Sequence, residues 1–138
     1  MSIESQLLNE VKEKDLRIGN YVYYCENGNT LYAEFEKIET YDMIGLANGG
    51  EIFGVPIDEN FLVTWFGFEK NNIEYVLQDW MLGLYYDDVY GYWHVYECRD
   101  NFHIRTIKYL HELQNLYFAL TGNELKERNF SDEFNEDF

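Results

Sequence analysis

Cations are what this sequence has least of. Ten Lys and Arg residues stand against 26 Asp and Glu, a formal net charge of −16 at pH 7. Between Ile18 and Glu97 the shortage is sharper, with fourteen carboxylates and only two cations, Lys37 and Lys70. Direct binding to nucleic acid depends on Lys and Arg displacing counterions from phosphate. Attachment to an anionic membrane surface depends on the same charges. Both partner classes are therefore excluded, and basic proteins or cations remain. The plainer reading of the charge is that it only keeps the protein soluble.

Other absences narrow the field further. There are two cysteines, Cys25 and Cys98, in the strand-like contexts "YVYYC" and "WHVYEC". They fit a reducing compartment and small buried side chains better than a disulfide. No apolar run is long enough to cross a bilayer and no leader pattern opens the chain, so the expected location is cytoplasmic. No internal repeat is convincing. The sequence carries no catalytic signature.

Aromatic residues are plentiful. Thirteen Tyr and ten Phe within 138 residues supply enough apolar area for a core. The length suits one domain, or two small lobes sharing a core. "SIESQLLNEVKEKD" places Ile3, Leu7, Leu8 and Val11 on one side at helical spacing, with Ser2 as N-cap. Residues 18–55 read as a four-strand antiparallel meander, either a small curled sheet or a partial barrel. Its turns are "ENGN", where Asn27-Gly28 tolerates positive φ, and "NGG", between "YDMIGLA" and "EIFGV". The single proline, Pro56, and Asp58 end this sheet. "DENFLVTWFG" predicts a short helix capped by Asp58 and stopped at Gly67. Strands resume as "IEYVL", "WMLGLYY", "YWHVYEC" and "FHIRTI". The last element is an amphipathic helix whose stripe includes Ile107, Leu110, Leu113, Tyr117 and Leu120, closed by Gly122. It is expected to lie across the second sheet, with His111 on its polar side. The fold class is α+β: two antiparallel meanders with a short helix between them. A single domain over 1–125, in lobes 1–67 and 68–125, precedes an acidic Phe-rich tail, 126–138.

Three segments, "DLRIGNYV", "WFGFEK" and "IKYLHELQNLYFALTGNEL", resemble a family of small proteins encoded by phages and prophages of Bacteroidota-type bacteria. The resemblance spans about Asp15 to Leu125. It implies a mobile-element origin and an intracellular product, and it brings no activity, cofactor or site residues.

Tests for chemistry give little. With so many carboxylates, close pairs such as Asp87-Asp88 or Glu34 and Glu36 arise by chance and do not argue for glycosidase chemistry. Asp87-Asp88 reads as an exposed turn sooner than a metal site. His94, His103 and His111 match no zinc spacing and read as structural or surface residues. Cys25 lies beside Glu26, and an anion raises a thiol pKa. The glycines sit in turns, not in a phosphate-cradling loop. Tyr21, Tyr23, Tyr85, Tyr92 and Tyr96 would need a cationic groove to stack single-stranded nucleic acid, so they read as cross-strand packing. No catalytic residue, cofactor or metal is expected.

The partner-binding candidates are acidic and aromatic. In "LYAEFEK", Glu34 and Glu36 fall on one side of a strand with Tyr32, and Glu39 and Asp42 come next. Asp87 and Asp88 form a second acidic point. In the closing "NFSDEFNEDF", Phe130, Phe134 and Phe138 line up at i, i+4 and i+8. They suit either an apolar groove rimmed by cations or the leading helix. The expectation is a stoichiometric protein that binds a basic host protein, such as a nuclease or defence enzyme, as an anionic mimic. The alternatives are an assembly protein that self-associates through aromatic surfaces, and an enzyme.

Overall fold

A computed structural model gives the fold, and it describes residues 9–77 and 82–127. The architecture is α+β, with two antiparallel sheets. The described chain divides into two compact units, one of residues 9–57 and 108–124, the other of 58–77, 82–107 and 125–127.

The first unit holds a three-stranded sheet ordered β2-β1-β3, formed by β1 (Tyr21–Tyr24), β2 (Glu34–Lys37) and β3 (Ile52–Phe53). This corrects the four-strand meander: β1 is central, and "YDMIGLA" is helical. Thr40 explains the difference. Its hydroxyl caps the Met43 N–H at 3.3 Å and starts α1 (Tyr41–Gly45), which runs into a 3-10 turn, Leu46–Gly49. Capping of this kind stabilises a helix by about 1 kcal/mol. The helical phase then turns Ile44 and Ala47 inward to join Val11, Leu16, Val22, Ile38 and Ile52 in one cluster. Asn27 and Gly28 do adopt positive φ, within 3-10 turns that connect β1 to β2.

The leading helix expected from the sequence does not extend over the described residues from Asn9 onward. Glu10 bridges to Phe53, the Val11 N–H donates to the Ile52 carbonyl, and only Glu13–Asp15 makes a 3-10 turn. Ile3, Leu7 and Leu8 lie outside the described residues.

The final helix, α2 (Leu110–Thr121), belongs to the first unit and contacts β1, which corrects its expected place on the second sheet. Ile107 is not part of it but ends β8 (Phe102–Ile107), and Leu120 is exposed. Polar bonds explain the docking. The Gln114 carbonyl oxygen accepts from the Tyr21 N–H at 2.9 Å, and its amide donates to the Gly19 carbonyl at 2.9 Å. Asn115 accepts from Arg17 and from Asn20, and donates to the Asp15 carbonyl. Arg17 also lies over the Phe118 ring and pairs with Glu124. Gly122 ends the helix at φ 76°, as its position predicts. Gly54 is required for a different reason. A Cβ there would meet the Tyr109 ring at 2.6 Å, a separation that only a glycine avoids.

His111 is a further correction: it is buried, not on a polar face. Its ring stacks on Tyr109, and its Nδ1 has no hydrogen-bond partner among the described residues. Burial pushes its pKa down, against weaker upward pulls from Glu112 and Asp15. The unfolded chain therefore binds this proton first, at about pH 6.5. The stability that neutral His111 contributes is whole above that pH and is lost as pH falls through it toward the folded value. Unfolding free energy should decline between about pH 7 and 5.5 in the parent chain, and more shallowly in His111→Leu. Equal slopes in chemical denaturation would refute this assignment.

The second unit is a five-stranded meander, β4 (Glu69–Asn71), β5 (Glu74–Leu77), β6 (Leu82–Asp87), β7 (Tyr92–Glu97) and β8. Before it, Asn60–Trp65 forms a π-helical turn where a short helix was expected. Asp58 caps it by accepting from the Phe61 N–H at 3.0 Å, and Gly67 ends it at φ 78°. One sheet face is apolar, with Tyr75, Leu84, Trp93, Val95 and Ile107 all buried.

Candidate functional site

Among the described strands, β2 lies at the edge of its sheet. Among the described residues it pairs only with β1, with Tyr21 opposite Lys37 and Tyr24 opposite Glu34. Its period of two sends Glu34 and Glu36 to one side, about 6.7 Å apart, and Phe35 to the other. Phe35 is held there by a stacked contact with Tyr21 and an edge contact with Tyr23. Glu34, Glu36, Glu39 and Asp42 are all exposed. Tyr32 and Tyr41, on the same stretch, are 74% and 78% exposed. Large aromatic area so displayed is characteristic of binding surfaces.

The local field is negative. Burial raises the pKa of Tyr24, and Glu51, Glu26 and Glu34 raise it further, so three carboxylates act on one phenol. Lys37 lies over the Tyr21 ring. Among the described residues, none of Glu34, Glu36, Glu39 and Asp42 is in an ion pair. Three carboxylates elsewhere pair with a Lys or Arg: Glu59 with Lys70 at 2.8 Å, Glu97 with Arg99 at 3.4 Å, and Glu124 with Arg17.

Asp87 and Asp88 part company. Asp88 is exposed in the turn after β6, whereas Asp87 is half-buried and fully engaged. One Asp87 oxygen accepts from the Val89 and Tyr90 N–H groups at 3.0 and 3.2 Å, and the other faces His94 Nε2 at 2.9 Å. The hydrogen bond with His94 is the main reason its carboxyl titrates below the usual range. His94 in turn meets His103, Nδ1 to Nε2, at 3.2 Å. Phe130, Phe134 and Phe138 fall outside the described residues.

The chain Asp87–His94–His103 is not foreshadowed by residue spacing. Its cause is a β-bulge. Val95 pairs with Arg105 but Tyr96 pairs with His103, so Ile104 is the extra residue. In a regular ladder His103 would oppose Glu97 and face the other side of the sheet. The bulge turns it to the face carrying Tyr85, His94 and Tyr96. Spacing alone contains no sign of that inserted residue.

Comparison of the chain with protein-family models, curated proteins and solved structures finds no match. Function has to be argued from the residues themselves.

Most of the tyrosines marked in the sequence are absorbed by packing. Tyr85 stacks on His94 at 4.7 Å and contacts Tyr96, and Tyr92 stacks on Tyr90. Tyr96 fits because Gly83 has no side chain: a Cβ there would lie 2.5 Å from its Cζ. Both cysteines are free thiols, Cys25 buried and Cys98 half-buried, and burial raises the pKa of each. Raised values keep them as poorly nucleophilic thiols. No helix among the described residues is long and apolar enough to cross a membrane.

Proposed function

We propose that this chain is a stoichiometric binding protein whose edge strand β2 and its acidic flank, Glu34 to Asp42, engage a basic surface on another protein. The supporting observation is a local concentration of charge: Glu34, Glu36, Glu39 and Asp42 are exposed within nine residues, none of them is in an ion pair among the described residues, and two exposed tyrosines stand beside them. Fixed anions at strand spacing present a Lys- and Arg-lined cleft with something like a run of phosphates. Such a cleft belongs to nucleases and other nucleic-acid enzymes. The resemblance to phage and prophage proteins turns the reading toward a host enzyme of that kind, including defence effectors.

Capture of the partner from host lysate, followed by measurement with the purified protein, tests this. Affinity should fall steeply as salt shortens the Debye length from about 10 Å at 0.1 M to about 3 Å at 1 M. Duplex DNA or RNA should displace the chain competitively. A complex indifferent to both salt and nucleic acid would defeat the mimicry reading. An open edge also suits pairing with a second copy. Salt-insensitive self-association in sizing experiments would favour that assembly role instead.

A further inference from the structure

The Asp87–His94–His103 chain lies wholly within the second unit, and its chemistry is independent of the acidic edge. The geometry points to a binding site for a divalent transition-metal ion, zinc in the first instance, between His94 Nδ1 and His103 Nε2.

The spacing is the first argument. Zinc binds imidazole nitrogen at about 2.0–2.1 Å in tetrahedral geometry, which places two nitrogens of one ion about 3.3 Å apart. The two ring nitrogens are already 3.2 Å apart and face each other, with the rings inclined at 63°. An ion that takes the place of the proton sits off the line between the two nitrogens, so each ring tilts to aim its lone pair at it while the separation of the nitrogens stays nearly the same.

A carboxylate stands behind His94. A metal-binding imidazole characteristically donates its other ring N–H to a carboxylate, which fixes the tautomer and raises ligand basicity. Asp87 supplies this at 2.9 Å, and its own orientation is set by the two turn amides. With Nε2–H committed to Asp87, Nδ1 of neutral His94 carries the lone pair. His103 then donates its Nε2–H to that lone pair. When a metal binds, His103 moves this proton to its Nδ1 and presents Nε2, so both imidazoles stay neutral and no net proton is released. Tyr85, stacked on His94, and Tyr92, set edge-on at 5.2 Å, hold the ring in place.

The bulge is a third, separate observation. It is the feature that carries His103 onto the face of His94, and bulges recur where a side chain must be re-aimed at a site. His103 is exposed, so an ion can enter from solvent. Among the described residues no group of three or more His, Cys, Asp or Glu is arranged to hold a metal. Water would therefore complete the coordination shell. Two imidazoles and water suit zinc, nickel and copper, with copper the tightest, and do not suit magnesium or calcium.

The test uses the full chain and Zn2+ alone as probe, with excess Mg2+ present to occupy surface carboxylates. Titration should show one zinc equivalent that Mg2+ does not displace. His103→Ala and His94→Ala should reduce uptake to the carboxylate background. Asp87→Asn should weaken binding by about tenfold or more, because an amide facing Nε2 favours the tautomer that protonates Nδ1. Zinc should also shift the ring-nitrogen resonances of His94 and His103 while leaving those of His111 in place. Should His94→Ala fail to fold, the exposed His103→Ala and Asp87→Asn decide the matter. The proposal is overturned if His103→Ala binds zinc as the parent does, or if zinc leaves both ring spectra unchanged.

Discussion

Gln114→Met should destabilise the first unit by about 2–4 kcal/mol, although the side chains are close in size and only 2% of Gln114 is exposed. The reason is that Gln114 stands in for a backbone partner. Its carbonyl satisfies the Tyr21 N–H at the start of β1, and its amide satisfies the Gly19 carbonyl, both at 2.9 Å. Methionine fills the volume and satisfies neither. Each buried group left without a partner costs about 1–3 kcal/mol, which outweighs any gain from a more apolar side chain. Chemical denaturation measures the total, and hydrogen exchange at the Tyr21 amide localises it. A change below about 0.5 kcal/mol, the ordinary scatter of surface substitutions, would mean that the two Gln114 hydrogen bonds do not hold helix α2 to β1.

That same glutamine shows where sequence reading runs out. The apolar stripe of α2 is visible in Leu110, Leu113, Leu116 and Tyr117, all of which are buried. Which sheet receives the stripe is not visible. It is decided by Gln114, Asn115 and Arg17, polar residues whose partners lie 93 to 107 positions away. The burial of His111 escapes the sequence for a related reason, since a ring with one polar atom left over still packs well against Tyr109.

Four strands of the second sheet are legible because they alternate and their turns carry Asn, Asp and Gly, whereas β4, three exposed polar residues, is not expected from the sequence. The first sheet is less legible. "YDMIGLA" has apolar residues compatible with either period, and Thr40, just ahead of it, tips the balance by capping α1. At the candidate sites the split is similar. Exposure of Glu34 and Glu36 follows from strand period and can be read directly. The meeting of His94 with His103 depends on one unpaired residue, Ile104, and cannot.

The second large effect concerns binding. Glu34→Lys with Glu36→Lys moves the net charge from −16 to −12, since each exchange adds two positive units. Both sites are exposed, and neither glutamate is in an ion pair among the described residues. Folding should therefore be nearly unaffected, within about 0.5 kcal/mol. Binding should not survive. Each anion that faced a cation becomes a cation facing a cation, and like charges brought together across an interface cost several kcal/mol. A loss of about a hundredfold or more corresponds to roughly 3 kcal/mol.

The decisive measurement compares this pair with Asp88→Lys plus Asp100→Lys, which changes the net charge equally on exposed turns of the second unit. Affinity of each variant for the captured partner is measured at one fixed salt concentration. The account predicts that reversal on β2 abolishes binding while reversal on the turns leaves it within a few-fold of the parent. Equal weakening by both would show that total charge alone matters, and unchanged binding by the β2 variant would remove the edge strand from the interface.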